Sequence, residues 1–419
     1  MRRKSRLTGT WVVAAAAALG GAAGLAGGVG RGAEPPQPVP APRQAEVRRE
    51  PTHPSDADAA LDLRIEERMR EAGLVGLGAA ILVDGKVVWT KGYGFADREA
   101  RRPFTPETVM NVGSISKTVI GVSLMRAVED GKLKLDDDVN VHLPFRVRNP
   151  RHPEVPITLR QLAIHTSGIA DREPVYSSSY HQGGDSPVAL GDFLRDYFEP
   201  QGKLYSQDNF IAARPGAARE YSNIGAALAA YAIERATGLG FAESTQSGIF
   251  RPLGMSSTGW FLSEVDPARH SRLYDASAGS PVEIPLYGLA TYPDGGLRTS
   301  VSDLSRFFLA LLNGGMHDGV RILAPPSAGE MQRFQYTPEN RPGNVQLAEK
   351  NSGIFWSTKM DVTFIGHGGT DPGVQAEMLA EPSKRVGVIL LSNTTPAEGK
   401  GRSFSAIFQA LVARGREMV

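Results

Sequence analysis

Apolar positions along the chain alternate between helical and strand spacing. Leu61, Ile65 and Met69 recur at helical spacing and predict a helix over residues 55–71. Ser55 and Asp58 form a capping-box pattern at its start, and Gly73 is its stop. Two strand-like runs follow, 76–83 and 86–91, on either side of Asp84-Gly85, a strong hairpin signal. A helix beginning near Ser114 carries Val119, Ile120, Leu124 and Val128 and ends at Gly131. The stretch from about 150 to 290 is helical and loop-rich, with helices expected over 158–163, 187–197, 224–236 and 241–249. Residues 172–220 are polar and irregular, which suggests a long surface loop bordering a site. A helix is expected over 303–312. Strands then return at 353–358, 361–365, 373–379 and 385–392, before a final helix over 403–414. The late strands have hairpin-length links, so the sheet should be mostly antiparallel. Pairing the N-terminal hairpin with these strands gives an α+β sandwich: helices flank one sheet (residues 55–150 and 290–419), and residues 150–290 form an inserted helical lobe.

The first residues stand apart from this pattern. Arg2, Arg3, Lys4 and Arg6 precede an uncharged stretch from Leu7 to Gly30, rich in Ala and Gly, and a Pro-rich run follows to Pro42. This is the layout of a secretory signal peptide over 1–33 with a Pro-rich linker over 34–54. The competing reading is an uncleaved membrane anchor, the only route to membrane attachment that the chain offers. The expected location is therefore periplasmic or secreted. Export would remove five cations (the four above and Arg31) and leave a small acidic excess. The whole chain of 419 residues has a formal net charge of +1, with 22% charged and 41% hydrophobic residues. With no basic stripe, nucleic acid is not an expected partner. The chain has no cysteine, so thiolate nucleophiles, disulfides and zinc–thiolate or iron–sulfur sites are excluded.

Three short motifs could carry chemistry. In Ser114-Ile115-Ser116-Lys117, positions i and i+3 share one helix face, so hydroxyl and amine point the same way. A serine needs a base before it is a useful nucleophile, and a lysine in a partly dry site can be that base. The Ser114 N–H, at a helix start, is aimed at a developing oxyanion. In Tyr221-Ser222-Asn223, a phenol could shuttle a proton while Asn223 contacts a substrate carbonyl or positions Lys117. In His367-Gly368-Gly369-Thr370, glycines allow close backbone approach at the end of a strand, and the imidazole could bind a carboxylate or carbonyl. Each motif also has a plain structural reading: a helix cap with an exposed Lys, an N-cap beside a packing Tyr, and a glycine turn with a surface His. The remaining histidines show no metal-binding spacing, and there is no G-x-S-x-G elbow, P-loop or G-x-G-x-x-G, so neither metal nor cofactor is expected.

Taken in order, these motifs resemble those of the serine β-lactamase superfamily, in the branch of class C β-lactamases, D-Ala-D-Ala carboxypeptidases, D-aminopeptidases and carboxylesterases. The blocks at Leu162–Ile169, Pro215–Gly238, Phe250–Met255 and Gly295–Leu297 fit the same resemblance, which covers residues 57–412. It implies a β-lactamase/transpeptidase-like fold and an acyl-enzyme mechanism. Ser114 would be the nucleophile, with Lys117 and Tyr221 sharing the proton work and the N–H groups of Ser114 and Thr370 forming the oxyanion hole. Asn223, His367 and Gly369 would complete the substrate wall. The third motif departs from the Lys-Thr-Gly of β-lactamases. A histidine of ordinary pKa is mostly neutral at pH 7, and losing a charge-assisted contact costs about 1.5–3 kcal/mol of binding. The resemblance therefore implies an ester, peptide or amide substrate before a β-lactam. The alternative from another class is a non-catalytic binding or structural relative. No pattern in the chain bears on oligomeric state.

Overall fold

The computed structural model describes residues 56–419. The signal peptide or anchor expected at 1–33, the linker at 34–54 and Ser55 lie outside the described residues. Helix α1, Asp56–Ala72, turns Leu61, Ile65, Met69 and Ala72 inward, and Gly73 at φ 69° carries the chain out of it. Strand β1, Gly76–Val83, is buried along its whole length because both of its faces are covered. Leu77, Ala79, Ile81 and Val83 face one core, while Ala80 and Leu82 face the other. Strand β2, Lys86–Asp97, runs well beyond the expected 86–91. Pairing with β1 continues to Gly94 opposite Gly76, and the glycines at 92 and 94 interrupt the hydrophobic pattern of that extension.

After the short β3, Arg102–Pro103, come α2, Ser116–Glu129, and α3, Asn223–Thr237, and later α4, Val301–Leu312. The C-terminal strands are β4, Ser352–Gly353; β5, Trp356–Lys359; β6, Phe364–Asp371; β7, Val374–Ala380; and β8, Val386–Ser392. Helix α5, Gly401–Glu417, closes the chain. These strands and the N-terminal hairpin make one eight-stranded sheet in the order β4-β5-β6-β7-β8-β1-β2-β3, antiparallel throughout. The join between the two ends of the chain is β1 against β8, from Leu77 opposite Ser392 to Val83 opposite Val386. Helices α1 and α5 cover one face, with Ile407, Phe408 and Leu411 packed on Ile81 and Leu390. Helices α2, α3 and α4 lie in the larger core on the other face.

Two expected strands are redrawn. The run 353–358 is not one strand but a hairpin, β4 to β5, which turns at Ile354-Phe355 with Phe355 at φ 47°. The strand expected at 361–365 begins at Phe364 and continues to Asp371, so His367-Gly368-Gly369-Thr370 lies within β6 and not in a turn after it. Glycines argue against strand by propensity, but β7 pairs with β6 from Ile365 to Asp371, and that pairing decides. In the middle of the chain the helices expected at 158–163 and 187–197 are Leu159–Ala163 and Leu190–Phe198. The helix expected at 241–249 is α-helical only over Phe241–Thr245 and widens into a π turn over Gln246–Phe250.

Candidate active site

Ser114 sits in a single 3₁₀ turn, Gly113–Ile115, immediately before α2. Gly113 enters that turn at φ 54°, where a side chain would be strained. The turn is tied down locally: Ser116 Oγ donates to Gly113 O (2.6 Å) and accepts from Leu297 N (3.1 Å). One turn on, Lys117 is fully buried. Its Nζ donates to Ser114 Oγ (3.0 Å), Asn223 Oδ1 (2.6 Å) and the Asp294 carbonyl (2.7 Å). These three contacts hold the lysine in one position.

Helix α3 delivers the second motif. Ser222 is its N-cap, accepting from Gly225 N (2.8 Å), so the cap expected at Ser222 or Asn223 falls to Ser222. Asp171 braces the same helix start, accepting from Ser222 Oγ (2.9 Å), Asn223 N (2.7 Å) and Ile224 N (3.0 Å). This frees the Asn223 side chain for Lys117. The Tyr221 ring lies 5.1 Å from Lys117 Nζ and 4.3 Å, centroid to centroid, from the His165 ring. His165 Nδ1 accepts from Ser222 N (3.3 Å), and burial keeps this imidazole neutral by pushing its pKa well down.

Strand β6 brings the third motif against the Ser114 turn. A Cβ at Gly369 would stand 2.0 Å from Val112 O and 3.1 Å from Ser114 N, and one at Gly113 would stand 3.2 Å from Thr370 N. Only glycine permits that approach, and it sets the backbone N–H groups of Ser114 and Thr370 near one another. His367 is buried, not on the surface as a glycine turn would leave it. Its Nδ1 lies 2.6 Å from Gly368 O and its ring 6.4 Å from that of Tyr221. Burial first, and then the nearby Lys117 charge, push the imidazole pKa well below its ordinary value, so it carries no cation at neutral pH.

Ser114, Tyr221, Asn223, His367 and Thr370 line one cavity of about 440 Å³. Lys117 reaches this group from below through Ser114 and Asn223, and Gly369 contributes backbone to the wall's support. The expected site residues thus come together from three distant segments. Several others were missed by sequence reasoning. Asp171 carried no motif signal. Asp294 and Asp371 flank quoted blocks, one before Gly295 and one after Thr370, but nothing in their spacing marks them. Arg219, Lys350 and Lys359 also line the cavity, together with Tyr176 and Tyr180 from the irregular stretch expected to border a site.

The β-lactamase family model matches residues 61–411. The chain belongs to the β-lactamase family. Among curated relatives, protein flp of Staphylococcus aureus (strain MRSA252) is 24% identical over 348 residues, covering 81% of this chain and 63% of flp. The chain therefore spans less than two thirds of that relative's length. Esterase EstB of Burkholderia gladioli is 27% identical over 330 residues, covering 78% of this chain and 74% of EstB. Among solved structures, D-amino acid amidase from Ochrobactrum anthropi SV3 superposes with a TM-score of 0.64 at 23% identity, covering 85% of this chain and 99% of the amidase.

Proposed function

We propose that this β-lactamase-family protein is an exported serine hydrolase that cleaves an ester or amide through an acyl-enzyme on Ser114. The observation that carries the reading is the 3.0 Å contact between Lys117 Nζ and Ser114 Oγ at the floor of an open cavity. A hydroxyl both donates and accepts, so this contact can reverse: the Lys117 amine takes the Ser114 proton as Oγ attacks the carbonyl carbon, while its contacts to Asn223 Oδ1 and the Asp294 carbonyl keep it in place. The carbonyl oxygen becomes an oxyanion and accepts from the N–H groups of Ser114 and Thr370. Tyr221, beside Lys117, gives its phenol proton to the leaving group and regains one from Lys117. The C–O or C–N bond then breaks and leaves the acyl group on Oγ. Water attacks that ester in the second half and restores the serine. Asn223 holds Lys117 in place through Oδ1. EstB and the amidase, an esterase and an amidase by name, support an ester or amide substrate. The neutral His367, where β-lactamases keep a lysine, speaks against a β-lactam. Export rests on the N-terminal sequence pattern, and the active unit would be residues 55–419 after removal of 1–33.

The test is labelling by a fluorophosphonate together with a p-nitrophenyl acetate burst. The wild type is expected to label and to release one equivalent rapidly, and Ser114→Ala to do neither. A folded wild type that never labels, and never turns over esters, amino acid amides or nitrocefin, would instead be a binding module of this fold. Nitrocefin as the preferred substrate in the same panel would make it a true β-lactamase.

A further inference from the structure

The cavity around Ser114 is sorted by charge. On the Tyr221 side stand three cations. Arg219 Cζ lies 5.8 Å from the Tyr221 ring centroid, and its Nε is buried without a hydrogen-bond partner. Lys350 Nζ donates to Ser357 Oγ and Thr358 O, both neutral acceptors, at 2.5 Å. Lys359 is bridged to Glu377 at 3.4 Å and reaches towards Gly368, where a Cβ would stand 2.6 Å from its Nζ. Among the described residues, no carboxylate forms a salt bridge with Arg219 or Lys350. Burial, then Arg219, then Lys359 push the Lys350 ammonium down to about 7. An anion arriving here would relieve that repulsion.

The far side carries the opposite sign. Tyr176 Oη donates to Asp294 Oδ1 (3.0 Å), and Tyr180 Oη donates to Asp371 Oδ1 (2.5 Å). The other oxygen of each carboxylate, Asp294 Oδ2 and Asp371 Oδ2, is buried and makes no hydrogen bond of normal geometry. Asp294 is wholly buried, the rings of the two tyrosines that hold these acids are 5.9 Å apart, and, after burial, the Asp294 charge helps to raise the Asp371 pKa, so the two carboxylates share one environment. Buried, under-satisfied and mutually repelling acids are costly, and a cation against the two tyrosine rings would offset that cost. Strand β6 gives the scale. Gly368, beside Lys359, and Asp371 are three residues apart, about 10 Å along a strand, with Thr370 and Ser114 between.

We infer that this site takes a small zwitterionic substrate, a peptide of two or three residues with a free ammonium on its acyl part and a carboxylate on its leaving part. Two to three extended residues span about 7–10 Å, comparable to the rise of β6 from Gly368 to Asp371. The orientation follows from Tyr221: the leaving group it protonates lies on its own side, among Arg219, Lys350 and Lys359, so the acyl residue points to Tyr176, Tyr180, Asp294 and Asp371. The positive end thereby supplies the charge that His367 lacks, from positions outside the three motifs. The inference rests on the serine hydrolase reading and narrows its substrate.

The experiment is a matched panel: alanyl-alanine of each configuration, its N-acetyl form, its C-terminal amide, and the form neutral at both ends. For the preferred configuration, each capping is expected to lower kcat/KM at least tenfold, chiefly through KM. Lys350→Met with Arg219→Met should erase the cost of C-terminal amidation and keep the cost of N-acetylation. Asp371→Asn should do the reverse. Using ratios between isosteres cancels a general loss of activity, and melting curves show which variants fold. Wild-type ratios near one, or ratios unmoved by these substitutions, overturn the inference. Fluorophosphonate labelling of Ser114 in the same samples separates that outcome from failure of the hydrolase itself.

Discussion

Lys117 and His367 both lie near the Tyr221 ring, yet they face different demands. Lys117 is buried but has three acceptors on its amine, one of them the proposed nucleophile. His367 is buried with its Nδ1 on the carbonyl of Gly368 and is kept neutral by that burial. The first is placed to move a proton and the second to shape the wall. Lys117→Ala is therefore expected to lower kcat for ester hydrolysis by about 10²–10⁴-fold, the usual worth of a general base. His367→Ala should cost less than Lys117→Ala, and by an amount that varies with the substrate. Steady-state kinetics on p-nitrophenyl esters checks both. Acylation abolished in His367→Ala but retained in Lys117→Ala would point instead to a Ser-His pair.

At the scale of elements, the site depends on three segments meeting: the 3₁₀ turn before α2, the start of α3, and the middle of β6. The closest meeting is β6 on the turn. Because a Cβ at Gly369 would press to 2.0 Å from Val112 O, a backbone atom, Gly369→Ala has to push the strand and the turn apart. The two backbone N–H groups assigned to the oxyanion would then separate. The expected result is a drop in kcat of about 10²-fold or more, comparable to losing one oxyanion donor, together with a lower melting temperature. A folded Gly369→Ala variant with wild-type kcat would remove Thr370 from that role. The start of α3 is held differently, by Ser222 and by Asp171, so a cap and a half-buried carboxylate position Asn223 and Tyr221.

For the whole molecule, the arrangement of charge across the cavity makes a prediction in pH. Asp371 is pushed up to about 7 by burial, in a setting that also holds Tyr180, Tyr287, Asp294 and Lys117. Asp294 is pushed up to about 6, again by burial, with Lys117 opposing and Asp171 reinforcing the shift. These acids become anions as pH rises through 6 to 7, so recognition of an ammonium strengthens over that window. It fades again above about 7.7–8.0, where a free α-amine loses its own proton. Lys350, pushed down to about 7, loses its charge as pH rises, so recognition of a carboxylate weakens above about 7. The preference for the zwitterion over its doubly neutral isostere should therefore peak near pH 7. The preference for a free N-terminus alone should peak higher, and that for a free C-terminus alone should fall steadily above 7. Ratios of kcat/KM between pH 5.5 and 9 measure all three.

Much of this was legible in the chain. Helical spacing in α1 and α2, the Asp84-Gly85 hairpin and the apolar late strands gave the α+β plan, because each reflects a local period that survives in the fold. The order Ser-x-x-Lys, Tyr-x-Asn, His-Gly-Gly gave the family. What the chain could not give was contact between distant segments. The extension of β6 through His367-Gly368-Gly369-Thr370 runs against the propensity of glycine and is fixed by pairing with β7. The burial of His367, and with it the loss of a cation, comes from what packs over it. Asp294 and Asp371 are separated by most of the C-terminal third of the chain, as Arg219 is from Lys350 by more than a hundred residues. Nothing local relates them, because electrostatic fields act through space, and only folding sets which charges share a wall.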